Sequence, residues 1–424
     1  MRTLSSRGSA AMAAAMLLAV ASVGAAQVPN ASPAATGLSG AFIARARGYD
    51  AVAWNPANLG LPGNPGFSIG MLALSGSSGL DPISLNDFAP YSDKTLPASQ
   101  REQWLQKVTA KGGENGTMDG GLTELAMSFG HLAFQVGSSV GGSTKLSPDA
   151  FEAVMFGNAG RTGTVENLSL AGSQARVGAF TTGAVSYGFG VASSKDSHMS
   201  LGVTAKYTVG HFLAIAQDQG SQTGTNAVTV NMPIVYSNPD SSANVGAGIG
   251  VDVGFAYSTR KLSFGAAVQN VMNNFAWDES KLYSKKGTGL FDGNTDTTDF
   301  ADQPYANAPT ALRQRVTDDK FKPVVAAGIA YAVNSVTTFS ADARSQIGDG
   351  IVVGPKTQVG GGLEFRGIPL LPLRVGASYV TGGWGVSGGI GLKLAGYELG
   401  VGAALRTING GKEPAITVNA ISIR

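Results

Sequence analysis

The chain has no cysteine and only three histidines. No disulfide framework, thiol nucleophile or thiolate-bound metal can form. Charge is scarce as well: 30 Lys and Arg face 28 Asp and Glu, a formal net charge of +2 with 14% charged residues. That excludes the one-signed basic field on which nucleic-acid binding depends. Beyond the first 26 residues, no run approaches the ~18 apolar residues of a membrane helix. Glycine is what the chain has in excess: 60 residues, about twice the usual ~7%.

The three histidines, His131, His198 and His211, sit in no spacing that assembles a nucleophile, a base and its orienting partner. His131 reads as a turn residue and His211 as a strand-end residue. The expectation is a protein that is not an enzyme and carries no cofactor. Asp292-Gly-Asn294-Thr-Asp296 opens like a calcium loop. Thr297 and Gln303 stand where the loop requires Gly and Glu, so a solvated acidic loop is the favoured reading and a weak metal site the lesser one.

Residues 1–26 read as a cleaved secretory signal: Arg2 and Arg7 precede an apolar stretch at 11–23, then Gly24-Ala25-Ala26. An exported chain without membrane helices can still enter a membrane as a closed barrel.

The rest of the chain is dominated by a two-residue period. Leu373, Val375, Ala377 and Tyr379 oppose Arg374, Gly376 and Ser378. Tyr397, Leu399, Val401, Ala403 and Leu405 oppose Glu398, Gly400, Gly402 and Arg406. Segments of this kind recur around 67–73, 125–136, 201–209, 251–268 and 325–331, parted by turns such as Thr381-Gly382-Gly383. In the last strand the alternation slips after Ala420, which predicts a bulge there. Short turns alternate with long polar excursions at 76–121, 141–164, 215–225 and 276–320, the first with a helical period over 97–109. That asymmetry is normal for outer-membrane barrels. The expected fold is all-β: a transmembrane antiparallel barrel of about 14 strands, range 12–16. An exported soluble sandwich would show the same alternation with its faces reversed.

In a membrane barrel the polar face lines the lumen. It would carry Lys206, Arg374, Lys393 and Arg406 with Asp252, Asp342, Glu364 and Glu398. Mixed signs suit an internal network better than an ion-selective pore. Glycines on that face leave room for a plug, or simply permit curvature.

The Gly/Ala-rich run from Gly40 to Leu59, with Asp50-Ala51-Val52 and closed by Trp54-Asn55-Pro56-Ala57, is a poor helix and a poor strand. With its place after a signal and before a first strand, it resembles the FadL/TodX superfamily of outer-membrane hydrocarbon and fatty-acid transporters. It is equally similar to their TraF-like and PorV-like relatives. The pair of segments 245–257 and 262–271, including Val268-Gln269-Asn270-Val271, resembles the central strand pair of that group. The resemblance implies an N-terminal hatch, 27–64, filling a barrel formed by 65–424. It also implies an apolar ligand that enters from outside, crosses the lumen and leaves through a lateral opening. Trp54, Asn55, Pro56 and Ala57 would belong to the hatch. From charge and placement, Arg45, Arg47 and Asp50 would hold it to the wall.

Two functions follow as expectations. One is passive uptake of a small hydrophobic compound in the outer membrane, gated by the hatch. Phe88, Tyr91, Trp104, Leu105, Phe151, Met155 and Phe156 in the long loops either capture it or, the favoured reading, bury the loops against each other. The other is a PorV-like platform for a secreted protein. Expected partners are outer-membrane lipid and lipopolysaccharide, the barrel-assembly machinery and the solute, with no nucleic acid.

Overall fold

The structure, a computed structural model, describes residues 31–423 except 93, 226, 239–242, 293–295, 352–354 and 409–410. The signal at 1–26 lies outside the described residues. Residues 31–64 form short helical turns, among them α1 (Pro33–Gly37) and α2 (Ala51–Trp54).

Fourteen long strands then close into one antiparallel barrel. They are β1 (Phe67–Asp81), β2 (Glu114–Phe129), β3 (Leu132–Leu146), β4 (Gln174–Ser193), β5 (Ser197–Gln217), β6 (Gly246–Thr259) and β7 (Leu262–Asn273). The second half comprises β8 (Val324–Ala332), β9 (Thr337–Gln346), β10 (Thr357–Phe365), β11 (Leu373–Val380), β12 (Gly383–Leu394), β13 (Tyr397–Ile408) and β14 (Gly411–Ile423). β1 closes the ring on β14, from Ile69 opposite Ile423 to Ser77 opposite Ala415. Closure leaves no edge with unpaired backbone groups, the condition for crossing lipid with strands.

The direction of each face decides between barrel and sandwich. Ile249 is 57% exposed on β6 while Asp252, three residues on, is 2% exposed. Val185, Leu201, Val375 and Val401 likewise face out, and Lys206, Glu364 and Arg374 are buried inside. Apolar residues outside and charges inside make a lipid-facing barrel, so this is an outer-membrane protein. Exposed aromatics form two tiers: Phe129, Tyr187, Tyr331, Phe365 and Tyr397 towards one rim, Tyr207, Tyr379 and Trp384 higher up.

The rim nearer Phe129 is closed by tight turns such as 130–131, 194–196 and 260–261. The other rim carries excursions at 82–113, 147–173, 218–245 and 274–323. The first three begin later than the sequence pattern indicated. Gly76 pairs with Gly120 and Gly79 with Thr117, so polar residues taken for loop continue the ladder. Above the lipid, a strand has no need of an apolar face.

The first two excursions hold α3 (Ala98–Lys111) and α4 (Pro148–Phe156), and the fourth holds α5 (Thr310–Asp318). Three adjacent strands also share an irregularity at one height. Pairing of β1 with β2 skips from Met71–Leu125 to Ala73–Thr123, and Leu72 takes a left-handed φ of 53°. β2 shifts register against β3 between Thr123 and Leu125, and β14 shifts against β13 between Asn419 and Ile423. The last shift turns Ser422 inward after Asn419, at the place where the sequence alternation slipped.

Candidate functional site

The N-terminal segment acquires its shape from two caps. Ser32 Oγ accepts from Ala35 N (3.5 Å), with Pro33 in the first turn of α1. Asn55, extended at φ −157° and ψ 103° before Pro56, accepts from Ala57 N (3.1 Å) through Oδ1. Its Nδ2 donates to Phe255 O on β6 (3.0 Å). Pro56 opens a 3₁₀ turn where a missing N–H costs nothing. Leu38, Ala41, Val52 and Leu59 are fully buried, and Phe42 meets Trp54 edge-on at 5.5 Å.

The wall receives this segment at glycines. A Cβ on Gly202 would stand 2.3 Å from Ala57 N, and one on Gly254 2.1 Å from Asn55 Oδ1. On the opposite side, a Cβ on Gly402 would stand 2.6 Å from Pro33 O. Inward glycines therefore serve close approach here, whatever they add to curvature.

A model of a family of unknown function, DUF5723, matches residues 56–365. The chain belongs to this family. No individually curated protein matches it in sequence. Among solved structures, the Ralstonia pickettii toluene transporter TbuX aligns with a TM-score of 0.51 at 15% identity, over 93% of this chain and 98% of that one. A deltaS2S3 mutant of the monoaromatic hydrocarbon channel TodX aligns with a TM-score of 0.51 at 12% identity, over 88% and 93%. At these identities the likeness establishes the fold: this DUF5723 chain has the barrel of the FadL/TodX hydrocarbon transporters. Those neighbours are transporters and channels, not enzymes.

Polar anchors tie the DUF5723 N-terminal segment to the wall. Asp342 Oδ2 on β9 accepts from the backbone N of Phe42 (2.5 Å) and Ile43 (2.6 Å). Arg45 pairs with Glu364 on β10, which also holds Arg374 (2.7 Å) and Arg366 (2.6 Å). Arg374 reaches Glu398 (3.2 Å), and Glu398 reaches Lys393 (3.3 Å), half exposed at the rim. Opposite charges thus alternate along one ribbon inside the barrel, with Arg45 Nη1 left buried and without a partner at its end.

A second network lies across the lumen. Lys206 Nζ contacts Asp252 (2.5 Å) and donates to Asn270 Oδ1 (2.7 Å). β7 bulges between Val268 and Met272, and this bulge carries two neighbouring side chains to different places. Gln269 Nε2 donates to Ala53 O in α2 (2.7 Å). Asn270, left-handed at φ 53°, receives Lys206 and donates from Nδ2 towards Lys322 O at the end of the fourth excursion (3.4 Å).

That excursion folds back into the mouth. Phe180, Leu213, Phe275, Trp277, Leu312 and Phe321 form one buried cluster between β4, β5 and α5. Asp319 fastens it, accepting from Arg176 Nε (2.8 Å) and Nη2 (2.9 Å) and from Trp277 Nε1 (2.9 Å). Sequence reasoning missed these residues because Trp277 and Asp319 sit in a stretch without periodicity. Arg176, on the inward face of a Gly/Ala-rich strand, was the available signal.

The other sequence candidates fall in several settings. Arg47 does not reach a wall charge; its Nη1 donates to Ala44 O (3.2 Å) and Ala46 O (2.9 Å) within its own segment. Asp50 is buried beside a crevice of ≈ 30 Å³ that runs between Pro33 and the irregular row at Met71, Thr123 and Ser422. Trp104, Leu105 and Phe151 are buried together where α3 crosses α4, with Phe88, Tyr91, Met155 and Phe156 packed around them. They fill the space between the helices. Arg406 pairs with Glu413 at 3.6 Å. Asn294 of the calcium-loop candidate lies outside the described residues, between Asp292 and Asp296. Among the described residues no three acidic or histidine side chains are grouped to hold a metal. His131 does sit in a turn, and His211 lies well inside β5 with Nδ1 against Ala243 O (2.5 Å).

Proposed function

We propose that the protein is a passive outer-membrane channel for a small hydrophobic compound, with residues 31–61 as its gate. The observation that carries the reading is how that segment is held. It rests on glycine backbone and on non-covalent polar contacts from Asp342, Glu364 and Gln269, all of which can break and re-form. The named solutes of the structural neighbours, toluene for TbuX and monoaromatic hydrocarbons for TodX, support the solute class. The irregular row across β14, β1 and β2, faced by the narrow crevice, is the place where a solute would leave the wall once the segment shifts.

The absence of cysteine supplies a clean test. Ser39 Oγ and Ser387 Oγ lie 2.7 Å apart, one on the segment and one on β12. Ser39→Cys/Ser387→Cys is expected to form a disulfide under oxidation that stops toluene uptake by whole cells, and reduction restores it. Unchanged uptake in the oxidised pair refutes the gate. Normal hydrocarbon uptake in a deletion strain that loses a secreted protein would refute the channel.

A further inference from the structure

The fourth excursion packs over β4 and β5, and a cavity lies in the lumen away from it. This cavity of ≈ 180 Å³ is floored by Thr36, Ser39 and Trp54 of the N-terminal segment and walled by strands from both ends of the chain. Charged and polar groups interrupt its apolar lining. Two guanidiniums, Arg344 on β9 and Arg406 on β13, border it together with Gln358. Ser139, 3% exposed, borders it too, and its Oγ is buried with no hydrogen-bond partner. A buried hydroxyl left unsatisfied is costly, and a ligand oxygen would relieve it.

We infer that this well binds a small organic anion: a short monocarboxylate whose head meets Arg344 and Arg406 and whose compact apolar or aromatic body lies on Trp54. The inference rests on the channel reading and narrows its solute. A guanidinium presents five N–H donors in a planar fork that matches a carboxylate. Arg406 lends only a 3.6 Å contact to Glu413, which leaves its remaining edges for a ligand. Asp119 and Glu413 on the same side disfavour a dianion by repulsion. Size sets a further limit. The well is smaller than the ~300–1,000 Å³ of drug-sized pockets, so a long acyl chain does not fit inside it.

The test uses the purified full-length mature protein in detergent and isothermal titration with benzoate, its cationic counterpart benzylamine, and toluene. Benzoate is expected to bind, benzylamine not to. Arg344→Gln and Arg406→Gln should each weaken benzoate about 10- to 100-fold, the worth of a charge-assisted bond. Ser139→Ala, a change too small to disturb the barrel, should weaken it by a smaller factor. Heat-modifiable migration on gels checks that each variant is folded. Equal binding of benzylamine, or benzoate binding unchanged in both Gln variants, overturns the site. Benzoate failing to bind while the oxidised Ser39→Cys/Ser387→Cys pair still blocks toluene uptake overturns the anion site and leaves the channel standing. Arginine-dependent benzoate binding with no effect of that disulfide supports the site and overturns the gate.

Discussion

Gly254 meets Asn55 so closely that a Cβ on the glycine would stand 2.1 Å from the amide Oδ1. The same Asn55 caps the turn that follows it and donates to Phe255 O, so a displacement of its amide from the wall breaks the second bond and disturbs the first. Gly254→Ala should therefore destabilise the seating of the N-terminal segment by about 1–3 kcal/mol, the usual cost of overpacking. Limited proteolysis should cut near residue 55 faster while the barrel still migrates as a folded band. A cleavage rate equal to that of the parent would show that the wall does not position Asn55.

Asp342 is the acceptor for two consecutive backbone amides, Phe42 and Ile43. Asp342→Asn removes the charge and offers one carbonyl in its place, at a cost of about 1.5–3 kcal/mol for a bond to a charged group. Amide exchange at 42–43 is expected to accelerate at least about tenfold. Exchange around Glu364 and Arg374 should stay as it was, because that ribbon has its own pairs. Uniform acceleration throughout the segment would mean that it is held as one body.

The bulge in β7 offers a separation of effects between adjacent residues. Gln269→Ala should loosen only α2, since its bond runs to Ala53 O. Asn270→Ala should loosen the excursion at 274–323 instead. It loses the bonds to Lys206 and Lys322, and it places alanine at φ 53°, which adds roughly 1–2 kcal/mol. Hydrogen exchange of the two variants reads this directly. Identical exchange patterns would contradict the division.

Arg161 clasps α3 to α4 through Glu102 (3.0 Å from both Nε and Nη2) and Glu152 (3.0 Å). The bond from Arg161 holds the Glu102 carboxyl below its ordinary value of 4.5, whereas burial holds that of Glu152 above it. The Glu102 contribution is present above 4.5 and is lost only as pH falls through its lowered value. That of Glu152 runs the other way: present below 4.5 and lost as pH rises through its raised value. Arg161→Ala should expose the first excursion to protease at pH 7, by a modest factor because the Glu102 pair is half solvated. Parent and variant should converge in acid, below 4.5. A ratio of cleavage rates that stays constant however far the pH falls below 4.5 would refute the assignment.

How much of this was legible depends on which residues repeat. Alternation at 373–379 and 397–405 announced the strands, the inward charges and even the slip near Ala420, because a pleat forces period two. It could not say which face met lipid; only closure of β1 on β14 and the exposure of Ile249 beside buried Asp252 decide that. Loop bounds were misplaced because strands above the lipid, as at Gly76–Gly120, lose the apolar half of the pattern. Arg45 pairs with a wall charge and Arg47 does not, although both are equally basic. Their difference is one of direction on an irregular backbone, which composition does not encode. The Asp319 clasp joins residues 176, 277 and 319, and nothing local marks three such distant positions as neighbours.

β11 has 8 residues and β5 has 21, about 26 Å and 70 Å along their strands at ~3.3 Å per residue. The barrel is therefore a sloping chimney: low along β8 to β13, and tall around β3 to β5. The mouth is thus walled high on one flank and left low on the other. The open well with Arg344 and Arg406 lies beneath the low flank. On the channel reading proposed above, a solute would approach over the low flank, and the protein has a front and a back within the plane of the membrane.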